Sequence, residues 1–148
     1  MTDARADLLA REGSGWTDFA DLAAGVPVEA RDRPELRDGW SATGVLWHVG
    51  AWMERAAGKL EEIAAGTWEP EPVDLDERNA RLLAESRDVT WDLAWERLTE
   101  ARARIRPAFE RVPDLDEHAR GYFVNDTIEH YEEHGADLRG VGGGGRAS

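Results

Sequence analysis

The spacing of apolar residues constrains the fold of this chain more than any other feature. After Ser41, the residues Val45, Val49, Trp52, Ala56, Leu60 and Ile63 recur at intervals of three and four. At about 100° per residue they fall within about 80° of one another on a helix. Trp91, Ala94, Leu98, Ala101, Ile105, Ala108 and Val112 follow the same rule, the pattern of a bundle seam. No segment alternates with period two over a useful length, so no sheet is expected.

Helix boundaries follow from caps and breakers. A first helix is predicted over 3–24, with Leu9, Trp16, Phe19, Ala23 and then Val26 inward. Gly13 and Gly15 should weaken or bend it, at about 1 kcal/mol each against alanine. A long loop with Pro27 and Pro34 reaches Trp40. Ser41 caps the second helix, which Gly66 ends. After the Trp68–Pro72 connection comes a short helix over 75–85. Thr90 caps the third long helix, which runs to about Arg111 and should kink at Pro107. The fourth is predicted from Tyr122 to Leu138, stopping at Gly140. Its inner face would hold Val124, Ile128, Tyr131, Gly135 and Leu138. Asn125, Asp126, Glu129, Glu132 and Glu133 would lie outside. Four amphipathic helices can bury their stripes only against each other. The expected fold is therefore an all-α four-helix bundle, with a long loop between helices one and two and a short extra helix before the third. Residues 1–139 form its single domain, and the glycine-rich residues 140–148 a flexible tail.

Composition narrows the function. The 148 residues carry a formal net charge of −13, and Lys59 is the one lysine. That balance speaks against a nucleic-acid partner and against an anionic membrane surface. There is no cysteine, which excludes disulfides, thiolate metal sites and a cysteine nucleophile. Thiol chemistry would need a thiol brought in by a substrate or cofactor. With no signal-peptide pattern at the start and no apolar run of about 20 residues, the expectation is a soluble cytoplasmic protein.

Chemistry points to the histidines, of which there are four. His130 and His134 stand four apart on the fourth helix, a spacing that lets both imidazoles chelate one ion. They read equally as half-exposed partners of Glu133 or Asp137. His48 lies at the margin of the second helix's stripe, one turn from Trp52. It joins the pair if those helices are neighbours, and is otherwise a core-edge histidine bonded to a carbonyl. His118 is expected to be a surface loop residue.

Two stretches around these histidines resemble the DinB superfamily of DinB-like and maleylpyruvate-isomerase-like four-helix proteins. They are Gly39-Trp40-Ser41-Ala42-Thr43-Gly44-Val45-Leu46-Trp47-His48-Val49-Gly50-Ala51-Trp52 and Asn125-Asp126-Thr127-Ile128-Glu129-His130-Tyr131-Glu132-Glu133-His134. The second is especially similar to the branch that includes the colibactin self-resistance protein. Asp76 to Ala80 and Thr90-Trp91 resemble that branch more weakly, and the likeness spans about residues 8 to 139. It implies a four-helix bundle in which His48, His130 and His134 bind nickel, zinc, iron or manganese. It also implies activation of a low-molecular-weight thiol, such as mycothiol or bacillithiol, for transfer or isomerisation. In the self-resistance branch the implied reaction is hydrolytic opening of a strained ring. Gly44 departs from the family, where relatives often carry an acidic residue, so the second helix lacks a capping box and should fray there.

The resulting expectation is a metal-dependent enzyme acting on a small electrophilic molecule. The alternative is a non-catalytic protein that binds or sequesters such a molecule. No catalytic residue is assigned. Trp52 and Trp95 are candidate pocket walls or plain core. Thr127, Tyr131 and Glu129 are candidates to support the ligating imidazoles. Arg102 would grip a substrate carboxylate or snorkel past the rim. Leu46, Gly50, Met53, Ala57 and Ala64 give the second helix another apolar face, with Trp47 beyond, which suggests a homodimer.

Overall fold

The computed structural model describes residues 3–144. Its helices are α1 (Ala4–Ala24), α2 (Ala42–Ala65), α3 (Leu75–Ser86), α4 (Trp91–Arg111), α5 (Glu117–Val124) and α6 (His130–Gly144). A π-helical turn, Asn125–Glu129, joins α5 to α6. Two short 3₁₀ turns, Val28–Ala30 and Arg37–Gly39, punctuate the loop after α1. No strand occurs among the described residues, and none of their helices is long and apolar enough to cross a membrane.

The caps behave as their chemistry dictates. The side chains of Asp3, Ser41, Asp74, Thr90 and Asp116 accept backbone N–H groups at the starts of α1 to α5, in chain order. Gly66 closes α2 in the left-handed conformation, at φ 77°. α2 is helical from Ala42, with the Ser41 hydroxyl accepting the Gly44 N–H at 2.9 Å. Gly44 is buried there because a Cβ would lie 2.9 Å from the Trp40 ring and 3.1 Å from the Ser86 hydroxyl. A side chain at this position would force its neighbours to shift.

Four helices, α1, α2, α4 and α6, make the bundle. Arg97 pairs with Glu54, and Arg104 pairs with Glu61. Both partners advance together along the chain, so α2 and α4 run parallel. Tyr131 meets Gly15 and Gly135 meets Leu22, so α1 and α6 are parallel too. Arg5 bonds the carbonyl of Val112 and Glu12 bonds Arg102, which sets α1 antiparallel to α4. Parallel neighbours cannot be joined by a tight turn, so the chain must travel back along the bundle between α2 and α4. It does so through α3, which runs antiparallel along α2: Arg78 bonds the Ala51 carbonyl, Trp52 bonds Asn79, and Trp47 bonds Glu85.

This arrangement covers α2 on nearly every side. Val45, Leu46, Val49, Met53, Ala56, Ala57 and Leu60 are all in the core. Of the second apolar face that suggested a homodimer, Leu46, Gly50, Met53 and Ala57 are buried within the same chain, while Ala64 is exposed. Gly50 comes so close to α4 that its Cβ would stand 3.2 Å from the Leu98 backbone. Trp47 is capped by the Arg97 guanidinium, 4.2 Å from its ring.

Other expectations change as well. Leu8, not Leu9, is the buried residue of its turn, and Glu12 is fully buried in the same helix. α1 runs uninterrupted through Gly13 and Gly15. Gly15 leaves room for Tyr131, whose ring would be 3.1 Å from a Cβ there. α4 runs through Pro107 to Arg111, the end expected for it. The final helical run starts earlier than predicted, at Glu117, and places His118 on a helix. It also passes through Gly140 to Gly144, so the expected tail begins as helix. Residues 145–148 lie outside the described residues.

Glycine contacts give a contrast to measure. Gly50→Val must push α4 away and should lose about 1–3 kcal/mol of stability. Gly58→Ala meets only the flexible Arg104 side chain, 3.6 Å away, and should gain up to about 1 kcal/mol from helix propensity. Denaturant unfolding of both variants checks the opposite signs.

Candidate metal centre

The last helical run holds two of the site's histidines, and its π turn sets their direction. Each π turn inserts one residue relative to an α-helix and shifts the phase of every residue after it. Before the turn the buried residues are Ala119 and Phe123; after it they are Tyr131 and Leu138. Within it Asp126, Thr127 and Ile128 are all buried. A wheel with one continuous phase put Asp126 outside and Val124 at the centre, whereas Val124 is half-buried.

Because α2 lies against α6 and the π turn, His48 faces His130 and His134. Ring centroids are 5.4 Å apart for His48–His130, 4.7 Å for His48–His134 and 5.3 Å for His130–His134. One ligand nitrogen from each lies within 4.8 Å of the others. A tetrahedral ion with bonds of about 2.1 Å needs about 3.4 Å between donors, so small ring rotations close the site.

The surroundings fit an ion. The Nδ1 atoms of His48 and His130 are buried without a hydrogen-bond partner. Such orphaned nitrogens are what a site for a further group leaves behind. Burial, reinforced by His134 and then His130, pushes His48 down to about 3. Burial and His134 push His130 down to about 4. Both rings are therefore neutral near pH 7, the form that binds metal. His134 Nδ1 lies 3.1 Å from Asp137 Oδ2, and Arg37 donates to the same oxygen at 3.2 Å. A carboxylate behind an imidazole fixes the ring and its tautomer, leaving Nε2 for the ion.

The three rings line a cleft of about 770 Å³. Its walls include Trp40, Trp52, Arg55, Asn79, Tyr122 and Asp126. Trp52 is a wall as expected, held by its indole N–H donating to Asn79 at 2.8 Å. The other supporting candidates lie elsewhere. Trp95 stacks on Trp16 at 5.6 Å and does not line the cleft. Arg102 grips a carboxylate of its own chain, Glu12, through two bonds of 2.8 and 2.9 Å. Tyr131 donates to the same Glu12 at 2.7 Å. Burial would raise Glu12, but the bonds from Arg102 and Tyr131 hold its carboxyl below the ordinary range. Thr127 donates to the Phe123 carbonyl at 2.6 Å inside its own helix. Glu129 is exposed. His118 is an exposed surface residue as expected, though on α5 rather than in a loop, and it lies beside the cleft, 4.5 Å from the Trp68 ring.

Residues beyond the three histidines complete the site, and of these the sequence points only to Asp137. Asp137 is three residues from His134, a spacing visible in advance. Asp126 stands four before His130, with 3.9 Å between its Oδ1 and the ring Nδ1. Arg37, Arg55 and Asn79 reach the cleft from other elements, and no local signal marks them.

Comparison with protein-family models, with curated proteins and with solved structures finds no match to this chain.

Burial pushes the Asp126 carboxyl up to about 7, against the nearby charges of Arg55 and Arg78. The folded protein then binds more protons than the unfolded chain between about pH 4 and 7, so this residue lowers stability as pH rises through that window. Asp126→Asn removes the effect. In metal-free protein the variant should be more stable than wild type at pH 8, by a few kcal/mol at about 1.4 kcal/mol per pKa unit. The gap should close by pH 4. Urea unfolding at several pH values measures it.

Proposed function

We propose that this chain is a DinB-like, divalent-metal-dependent protein in which a nucleophile from solution, water or a small thiol, attacks a small electrophile in the cleft. The observation that carries this reading is the convergence of three imidazoles from two helices, His48 buried and His130 and His134 half-buried, with His134 backed by Asp137 and Arg37. The two histidine-bearing segments are also the ones that resemble the DinB superfamily.

When bound, an ion held by uncharged imidazoles keeps its full charge and lowers the pKa of a coordinated water or thiol. The chain's own residues supply position and shelter. Asp137 holds the His134 ring in one tautomer, and Arg37 holds Asp137. Trp40 stands edge-on to His48, with centroids 5.1 Å apart, and keeps water from that side. Asn79 fixes the plane of Trp52, against which an apolar substrate can lie. The chain has no cysteine, so any thiol nucleophile comes from outside. Nickel, zinc and iron suit imidazole donors, whereas manganese would draw on oxygen ligands at the open positions.

Elemental analysis of untagged protein supplemented with each metal should find one equivalent per chain. The His130→Ala, His134→Ala double variant should lose it. Asp137→Ala keeps all three ligands and should weaken metal affinity about 10–100-fold. Wild type without stoichiometric metal would overturn the reading. The loaded protein is then assayed with a generic electrophile. Consumption of thiol assigns a transferase, and loss of electrophile without thiol assigns a hydrolase. Neither would leave a protein that sequesters its ligand.

A further inference from the structure

Arginine placement singles out a second feature of the cleft. Arg37, Arg97, Arg102, Arg104 and Arg106 each hold a carboxylate. Arg5 and Arg78 hold backbone carbonyls. Arg55 has neither kind of partner among the described residues, although it is half-buried and lines the cleft. A guanidinium offers five donors, and one held in a partly dehydrated site without an anion is an unspent recognition group. Asp126 and Glu71 both lie close enough to feel its charge, and neither makes an ion pair with it.

The walls around Arg55 are aromatic and apolar. Its guanidinium carbon lies 5.8 Å from the Trp52 ring and 6.0 Å from the Tyr122 ring. Arg78 lies 4.7 Å from the same Trp52 ring, which adds a second positive charge. Val73 and Leu75 also line the cleft, 38% and 57% exposed. Large apolar side chains left open at a cleft mouth fit a ligand with apolar surface. Arg55 is seven residues beyond His48 on α2, a rise of roughly 10 Å. Tyr122 is eight residues before His130 on the facing wall, roughly 12 Å. The charge and the three histidines therefore stand at opposite ends of one cleft.

We propose that Arg55 is the anchor of a carboxylate-binding subsite, and that the ligand of this cleft is a small amphipathic carboxylate whose anionic end lies on Arg55 and whose apolar body lies on Trp52 and Tyr122. The placement of its reactive end at the histidines rests on the proposed metal site; the subsite itself does not.

Full-length protein without metal tests the subsite alone. The probes are 4-phenylbutyrate and the matched alcohol 4-phenylbutanol, followed by the indole N–H resonance of Trp52, assigned through Trp52→Phe. The acid should shift that resonance saturably and bind about tenfold tighter than the alcohol, as a charge-assisted hydrogen bond provides. Arg55→Met should erase the preference, Arg55→Lys should keep part of it, and Arg81→Met, at an exposed position, should leave it intact. Equal binding of acid and alcohol to wild type, or a preference that survives Arg55→Met in folded protein, overturns the proposal. Metal analysis is independent of this result, so loss of the metal reading leaves the subsite standing, and the reverse.

Discussion

The close parallel contact between α2 and α4 governs the rest of the molecule. It is possible because Gly50 has no side chain where the Leu98 backbone passes. Two parallel neighbours need a connection that returns along the bundle, and α3 is that return. Its path along α2 places Asn79 and Arg78 beside Trp52 and gives the cleft its outer wall. A bundle of alternating antiparallel helices would have had short loops and no such wall. The cleft is a by-product of topology before it is a feature of any side chain.

A second constraint acts at the opposite wall. The π turn at Asn125–Glu129 lets one helical run serve two surfaces. Its first part seats Phe123 in stacking contact with Phe109, at 4.0 Å. Its second part seats Tyr131 against Gly15 and α1. Between them Asp126 and His130 are turned toward the cleft. A continuous α-helix satisfying both core contacts would not present these residues in the same way. The buried Glu12, gripped by Arg102, Arg106 and Tyr131, ties α1, α4 and α6 together. One misplaced partner would leave a dehydrated charge, so this cluster fixes the register in which the histidines meet.

Much of the molecule was legible in its residues, for identifiable reasons. Helix boundaries at Asp3, Ser41, Gly66 and Thr90 were readable because capping is local chemistry between neighbours. The α4 seam was readable because a helix with one buried face displays a single period. α2 was misread at its second face because a helix covered on many sides looks, in sequence, like one awaiting a partner. Arg102 and Tyr131 read as candidates beside the histidines because nothing near them in sequence announces Glu12, more than 85 residues away. Trp95 was a candidate wall for the same reason: its partner, Trp16, is equally remote.

The sequence by itself determined that the chain is helical, where most of its helices start and stop, and that His130 and His134 share a helix face. Those properties depend on spacing within a few residues. Only the tertiary structure decided that His48 meets them, that Asp137 is held by Arg37, and that Arg55 faces a cleft with no carboxylate partner among the described residues. These depend on which helices are parallel and on the phase lost at one π turn. Both come from packing between elements distant in the chain, whose free energy no local pattern encodes.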